Sequence, residues 1–185
     1  MGTLIAVEYV SLDGVMEEPG WSAPYFNDEV ASFQADNLAE ADALLLGRVT
    51  YEGFSAAWPN MEAETGEFGA KMNTMPKHVV TVSRDMPVWN STFISEGEPG
   101  AIVRAVNELK QQPGTLLLEG SADLFTLLTE YGVIDEYRLM VYPVIVGTGK
   151  KLWADGLTPR ALSLTKSVIT TSGVAILSYV PAPTA

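Results

Sequence analysis

The chain has 185 residues, 47% of them apolar and 18% charged, with a formal net charge of −12. That balance describes a globular fold with enough chain to bury a core, and the acidic excess argues against nucleic acid or an anionic membrane surface as a partner. Cysteine is absent and His78 is the single histidine, which excludes disulfides, thiol nucleophiles and zinc sites built on cysteine or several histidines. No metal site is expected. No apolar run approaches the length of a membrane span, and no basic segment precedes an apolar one at the start. The expectation is a soluble, cytoplasmic protein forming one domain over residues 1–185.

Thr3 to Val10 (TLIAVEYV) is rich in β-branched and aromatic residues and predicts a buried first strand. SLDG at 11–14 reads as a turn, and an irregular acidic loop with Glu17, Glu18 and Trp21 follows it. A helical pattern starts at Asn27, with Asn27 or Asp28 as the cap and Val30, Phe33, Ala35 and Leu38 roughly on one side. Ala43 to Gly47 is the second strand; the helix after it should end near Trp58–Pro59, and residues 60 to 76 read as a loop around a short helix. Lys77 to Ser83 alternates as a third strand, and Thr92 to Ser95 is a short fourth one. Pro99 and Gly100 open a helix that Pro113–Gly114 stops. Thr115 to Leu118 is a fifth strand, turned by Glu119-Gly120-Ser121 into a helix from Asp123 to Tyr131. Ile134 to Val146 reads as a long strand in which Pro143 marks a bulge or an edge, and Leu162–Thr170 with Val174–Val180 forms a hairpin. β–α repeats followed by a run of strands predict a three-layer α/β fold, its sheet mostly parallel with an antiparallel C-terminal end.

Three strand ends carry anion-binding chemistry. In LLLGRVTYE (44–52) a strand stops at Gly47 and turns into a helix, aiming unpaired N–H groups at one point beside Arg48 and Thr50. Ser83-Arg84 places a hydroxyl and a guanidinium just past another strand. Gly120-Ser121 starts a helix through a turn of small residues. In a parallel sheet these share the carboxyl edge, where ligands sit. Against the acidic background, the few cations Arg48, Arg84, Lys150 and Lys151 stand out. Two arginines and two helix N-termini match a pyrophosphate plus one further phosphate, an inventory that fits NADPH better than NADH. There is no GxGxxG after the first strand, so the ordinary dinucleotide-binding fold is disfavoured.

On these residues the chain resembles the dihydrofolate reductase-like superfamily, and within it the C-terminal reductase domain of bacterial riboflavin biosynthesis. LGRVTYE (46–52) looks like the cofactor-binding turn of dihydrofolate reductases; SLDG (11–14) and EGSADL (119–124) look like signatures of the riboflavin-pathway domain. VSR (82–84) and PVIVGTG (143–149) fit the same superfamily in order. The resemblance implies phosphate contacts from Gly47, Arg48 and Thr50, recognition of a 2′-phosphate by Ser83 and Arg84, and pyrophosphate contacts at Gly120, Ser121 and Ala122, with Leu124 close by. Asp13 and Gly14 would flank the nicotinamide and substrate, and Glu119 would face the same space. The implied activity is NADPH-dependent reduction of a small heterocyclic or imine-like substrate, of the pteridine or aminopyrimidine class, akin to 5-amino-6-(5-phosphoribosylamino)uracil reduction. The alternatives are an NADP(H)-binding module of this fold without turnover, and a true dihydrofolate reductase.

Two positions depart from the riboflavin-pathway pattern. Val7 stands where those reductases carry a substrate-binding lysine, and Val15 follows SLDG in place of a basic residue, with Glu17 and Glu18 beyond it. An acidic flap is a poor receptor for a sugar phosphate. Reduction also needs a proton source near the acceptor. The candidate acids are Asp13, Asp28, Glu29 and Glu119; Asp13 can instead shape its turn, and Asp28 or Glu29 can instead complement the helix dipole. A homodimer is expected, since Tyr137, Tyr142, Pro143 and the C-terminal hairpin offer apolar surface, although the same side chains can face the monomer core.

Overall fold

All the strand-forming runs pair into one sheet in the computed structural model of the protein, which describes residues 1–83 and 85–183. The strands are β1 (Thr3–Ser11), β2 (Ala43–Gly47), β3 (Lys77–Val80), β4 (Ser91–Ile94), β5 (Thr115–Leu118), β6 (Glu136–Tyr142), β7 (Leu162–Ile169) and β8 (Ala175–Pro181), in the order β4-β3-β2-β5-β1-β6-β8-β7. From β4 to β6 all neighbours are parallel; β8 pairs antiparallel with both β6 and β7. Parallel strands need helical crossovers, and these cover both faces. All five residues of β2 are therefore buried.

Helices α1 (Asp28–Glu40), α2 (Arg48–Thr65) and α3 (Glu67–Thr74) lie on one face, where Val30, Leu38, Tyr51 and Met72 pack on Ile5, Val7 and Leu44. On the opposite face α4 (Pro99–Leu109) and α5 (Ala122–Glu130) bring Val106, Leu124, Phe125 and Leu128 against Leu4, Ala6 and Leu45. The alternation along β1 divides its side chains between the two layers. The result is the three-layer, mostly parallel α/β architecture with an antiparallel end that the pattern of elements predicts. Among the described residues no helix is long and apolar enough to cross a membrane.

Several boundaries differ from the sequence reading, each for a physical reason. Helix α2 runs through Pro59 to Thr65. Proline removes one helical hydrogen bond, the one to the Ser55 carbonyl, but Trp58 packs against Phe54 and Phe68. Tertiary packing overrides the break. The acidic loop contains a 3₁₀ helix, Pro19–Tyr25. Strand β6 ends at Tyr142 because Pro143 has no N–H for the ladder. Asn27 is the cap of α1, accepting the Val30 N–H at 3.1 Å. Tyr137 and Tyr142, expected to offer surface to a second copy, are 2% and 0% exposed; in the C-terminal hairpin the large apolar side chains left in solvent are Leu164, Val168 and Ile169 of β7.

Tyr51, within the LLLGRVTYE stretch, ties α2 to the chain ahead of β4. Its buried hydroxyl donates to the Pro87 carbonyl at 2.7 Å, accepts the Trp89 N–H at 2.9 Å and lies 2.8 Å from Ser91 Oγ. Tyr51→Phe removes a partner from all three groups. The expected cost is about 1–3 kcal/mol, read from the shift in a denaturant unfolding midpoint with the fold otherwise retained.

Candidate functional site

Strands β2 and β5 are neighbours, with Leu45 paired to Leu118. Beyond them the chain turns to opposite faces, into α2 after β2 and into α5 after β5. A crevice opens at such a switch point, and open α/β sheets bind ligands there. The two turns touch. Gly47 donates its N–H to the Gly120 carbonyl at 3.1 Å, and a Cβ on Gly47 would overlap the Ser121 hydroxyl. Gly120 has φ +64°, and a Cβ on it would lie 2.7 Å from Thr50 Oγ1; only glycine fits both the conformation and the space. The Gly120–Ser121 peptide is cis. Gly47 and Ser121 are the N-caps of α2 and α5, and neither helix has a side-chain cap. Two uncapped helix N-termini therefore meet at one place, with N–H donors and positive dipole ends converging.

The other residues singled out for phosphate binding have different surroundings. Arg48 opens α2 and is engaged with Glu52 at 2.8 Å in an exposed pair one turn apart; such pairs contribute about 0.3–0.5 kcal/mol and exchange readily for a better anion. Ser83 follows β3 on the same edge, its N–H held by Thr81 Oγ1 at 3.0 Å. Arg84 lies outside the described residues. Ala122 begins α5, whereas Leu124 is 4% exposed and seated in the core beneath it. A hollow of about 360 Å³ lies against the first turn of α5, lined by Ala122, Asp123, Thr126 and Gly149 together with Lys150 and Lys151. Lys150 there pairs with Asp123 at 2.7 Å. Leu12, Val49, Val82 and Ile145 are exposed large apolar residues that follow β1, β2, β3 and β6. They give the carboxyl edge an apolar rim.

The four candidate acids have different surroundings. Asp13 accepts hydrogen bonds from Ser11 Oγ at 2.7 Å, Val146 N at 3.0 Å and Gly147 N at 2.7 Å. Those donors hold its pKa down at about 2, so it is an ionised clamp joining the SLDG turn to the segment after β6. Gly14, at φ +90°, completes that turn, and Glu17 accepts the Lys150 N–H at 3.0 Å to extend the junction. Glu29 accepts from the hydroxyl and N–H of Thr171 and from Asn27, which lowers its pKa; it fastens α1 to the β7–β8 turn. Asp28 is exposed at the first position of α1. Glu119 is the exception. Half-buried at the end of β5, it accepts no hydrogen bond from the described residues, and desolvation alone pushes its pKa up to about 7.

Around Glu119 stand groups that sequence reasoning missed. Tyr9 accepts from Gln34 Nε2 at 3.0 Å, and burial, with the Glu119 charge nearby, pushes its pKa up to about 12. Its ring stacks on Tyr142 at 5.3 Å and 14°, and Trp21 and Tyr25 of the 3₁₀ helix meet Tyr142 edge-on. The Tyr142 hydroxyl is fully buried with no hydrogen-bond partner among the described residues, an omission that is costly in a packed core. Glu8 is also buried, with Oε1 accepting the Gly120 N–H at 2.9 Å. Two adjacent polar residues, Glu8 and Tyr9, inside an apolar strand were the available signal. Among the described residues no group of three acidic, histidine or cysteine side chains is placed to hold a metal.

Comparison with known proteins gives the family and the fold. The model of the RibD C-terminal domain family matches residues 3–177, and the chain belongs to that family. It is 28% identical over 173 residues to the uncharacterized protein YyaP of Bacillus subtilis, covering 92% of this chain and 90% of that one. Among solved structures it is similar to a protein assigned to riboflavin biosynthesis from Shewanella sp. PV-4, with a TM-score of 0.74 at 16% identity, over 98% of this chain and 99% of that one. It is similar also to dihydrofolate reductase from Enterococcus faecalis in complex with NADP(H), with a TM-score of 0.66 at 15% identity, over 98% and 97% of the two chains. The fold is thus dihydrofolate reductase-like, and the family is reductase-like.

The Asp13 clamp makes a direct prediction. Asp13→Ala should speed amide hydrogen exchange at Val146 and Gly147 and leave β5 and α5 protected. In the wild type the clamp holds while Asp13 is ionised, so protection of the two amides relative to their intrinsic exchange rates should be lost only as pH falls from about 4 towards its lowered pKa of about 2. Unchanged exchange in the variant would remove the clamp from the account.

Proposed function

We propose that the protein is an NADPH-dependent reductase of a small heterocyclic or imine-like substrate, of the pteridine or aminopyrimidine class. One observation carries the reading: two uncapped helix N-termini meet at Gly47 and Ser121, next to the one candidate acid whose carboxyl is poised near neutrality. The residues present fit the nucleotide. The first-turn N–H groups of α2 and α5, with Thr50 and Ser121, would hold a pyrophosphate, and the absence of side chains at Gly47 and Gly120 lets backbone approach it. Arg48 would leave Glu52 for phosphate. Ser83 and Arg84 would take the 2′-phosphate, with Val49 and Val82 giving apolar contact to the adenosine half. The Gly120 N–H is already used by Glu8, so the phosphate donors on that side are those of α5 itself.

Bound there, NADPH supplies the reducing equivalent. The chain's own residues bind, orient and protonate. Glu119 gives a proton to the acceptor atom of the substrate, which its raised pKa allows at neutral pH. Tyr9 and Gln34 offer polar groups to a planar heterocycle, and Trp21 and Tyr25 shield it from water. The acidic flap with Glu17 and Glu18, and Val7 in β1, favour a substrate without a sugar phosphate. Two copies of the chain meeting through the exposed face of β7 would complete the assembly.

In fluorescence titrations NADPH should bind at least about tenfold more tightly than NADH, and Arg84→Ala should erase most of that difference. Equal affinity of the wild type for both nucleotides would overturn the cofactor assignment. In turnover with a panel of pteridines and pyrimidines, Glu119→Gln should lower kcat by about 10²–10⁴-fold with NADPH affinity unchanged. Because the protonated form is the active one, the wild-type rate should fall as pH rises through about 7. Stoichiometric NADPH binding with no oxidation across the panel would favour a nucleotide-binding module instead.

A further inference from the structure

The proposed chemistry gives Glu8 no direct task, yet its placement is among the most expensive in the molecule. It is 4% exposed, and among the described residues no lysine or arginine pairs with it. An uncompensated buried carboxyl is selected against unless it does something an apolar residue cannot. Burial, reinforced by the nearby Glu119 carboxylate and opposed by the Gly120 N–H, drives its pKa well above the carboxylate range. Burial thus favours the protonated acid, in which a carbonyl oxygen still accepts a hydrogen bond.

That hydrogen bond falls at a particular place. The β1–β5 ladder runs from Thr3–Thr115 to Ala6–Leu118 and stops. Two residues further along each chain Glu8 stands opposite Gly120, and its side chain takes over the ladder's work by accepting the Gly120 N–H at 2.9 Å. That N–H belongs to the peptide that joins Glu119 to Gly120. The next carbonyl, that of Gly120, accepts from Gly47, and Thr50 backs Gly120 itself. The Glu119 side chain makes no hydrogen bond with the described residues, so the path of its backbone is what the neighbouring hydrogen bonds control. An aliphatic residue at position 8 would fill the space, as Ala6 and Val10 do on the same face, but would leave the Gly120 N–H without an acceptor.

We propose that Glu8 is the positioning residue of the crevice: its carboxyl anchors the Gly120 N–H and thereby fixes the direction in which Glu119 presents its own carboxyl. The role in turnover rests on the reading of Glu119 as proton donor; the anchoring does not. Glu8 and Tyr9 of β1 are the titratable groups nearest Glu119, so these three are followed together.

The test compares Glu8→Gln, which keeps the carbonyl acceptor and the size, with Glu8→Leu, which keeps only the size, and Glu8→Asp, which withdraws the carboxyl by one methylene. Two readouts need no turnover: hydrogen exchange at the Gly120 amide, and the titration midpoint of the Glu119 carboxyl by carbon NMR, assigned by its loss in Glu119→Gln. Glu8→Gln should resemble the wild type in both. Glu8→Leu and Glu8→Asp should exchange Gly120 at least about tenfold faster, and the Glu119 midpoint should drop towards the ordinary carboxylate range as the side chain swings to water. With NADPH and the best acceptor of the panel, kcat should fall by about tenfold or more in Glu8→Leu and Glu8→Asp and recover in Glu8→Gln, with KM little changed. If Glu8→Leu does not fold, Glu8→Asp carries the comparison. Wild-type exchange and titration in Glu8→Asp, or a Glu8→Gln variant as impaired as Glu8→Leu, would overturn the proposal. A protein that turns over nothing would sink the functional reading and leave the two NMR readouts to judge Glu8.

Discussion

Gly47 closes β2 and Gly120 lies just past the end of neighbouring β5; their backbones are hydrogen-bonded, and a Cβ on either would run into the side chain of Ser121 or Thr50 from the other turn. The contact brings together the starts of two helices that then leave for opposite faces of the sheet, and the proposed site is arranged about it. Were either glycine replaced, the turns would separate, the N–H donors would diverge, and Thr50 and Ser121 would lose their common focus. The sheet order makes the contact possible, because β2 and β5, distant in sequence, lie side by side. The layers of Leu, Val, Met and aromatic residues on the two faces hold the strands in that register.

A chain of net charge −12 is an unpromising host for a polyanionic nucleotide. The local electrostatics relieve that conflict in two ways. Helix N-termini supply positive potential without spending a cation. The two carboxyls closest to the crevice, Glu8 and Glu119, are raised towards their neutral forms by burial, which removes negative charge where a phosphate would feel it most. In the proposed reaction the same desolvation would let Glu119 donate a proton. The carboxylates that stay firmly ionised, Asp13 and Glu29, are spent on backbone N–H groups and a hydroxyl that fasten loops to the scaffold.

The turns proposed to bind the anion were legible in the sequence because their signals are local. A glycine that ends a buried strand and begins a helix can be read from Leu44 to Glu52 or from Leu118 to Leu124 without knowing what lies beside it. The element order gave the architecture for the same reason. The polar groups on the other side of Glu119 were hidden because they are assembled across the fold: Tyr9 from β1, Gln34 from α1 and Tyr142 from β6 come together only once the sheet order is known. Proline was misleading in α2, where aromatic packing around Trp58 carries the helix through Pro59, and was informative at Pro143, where the missing N–H does end β6. The division of Asp13 and Glu29 from Glu119 was out of reach as well, since it depends on which carboxyl finds donors and which finds only burial.

A crystal structure of the protein with bound NADPH tests the central claim most directly. The account predicts the pyrophosphate on the first turns of α2 and α5 beside Thr50 and Ser121, the 2′-phosphate at Ser83, and the nicotinamide at the crevice within reach of a substrate contacting Glu119. A nucleotide seated elsewhere, such as the hollow between Tyr137, Trp153 and Arg160, or one whose nicotinamide points away from Glu119, would contradict it.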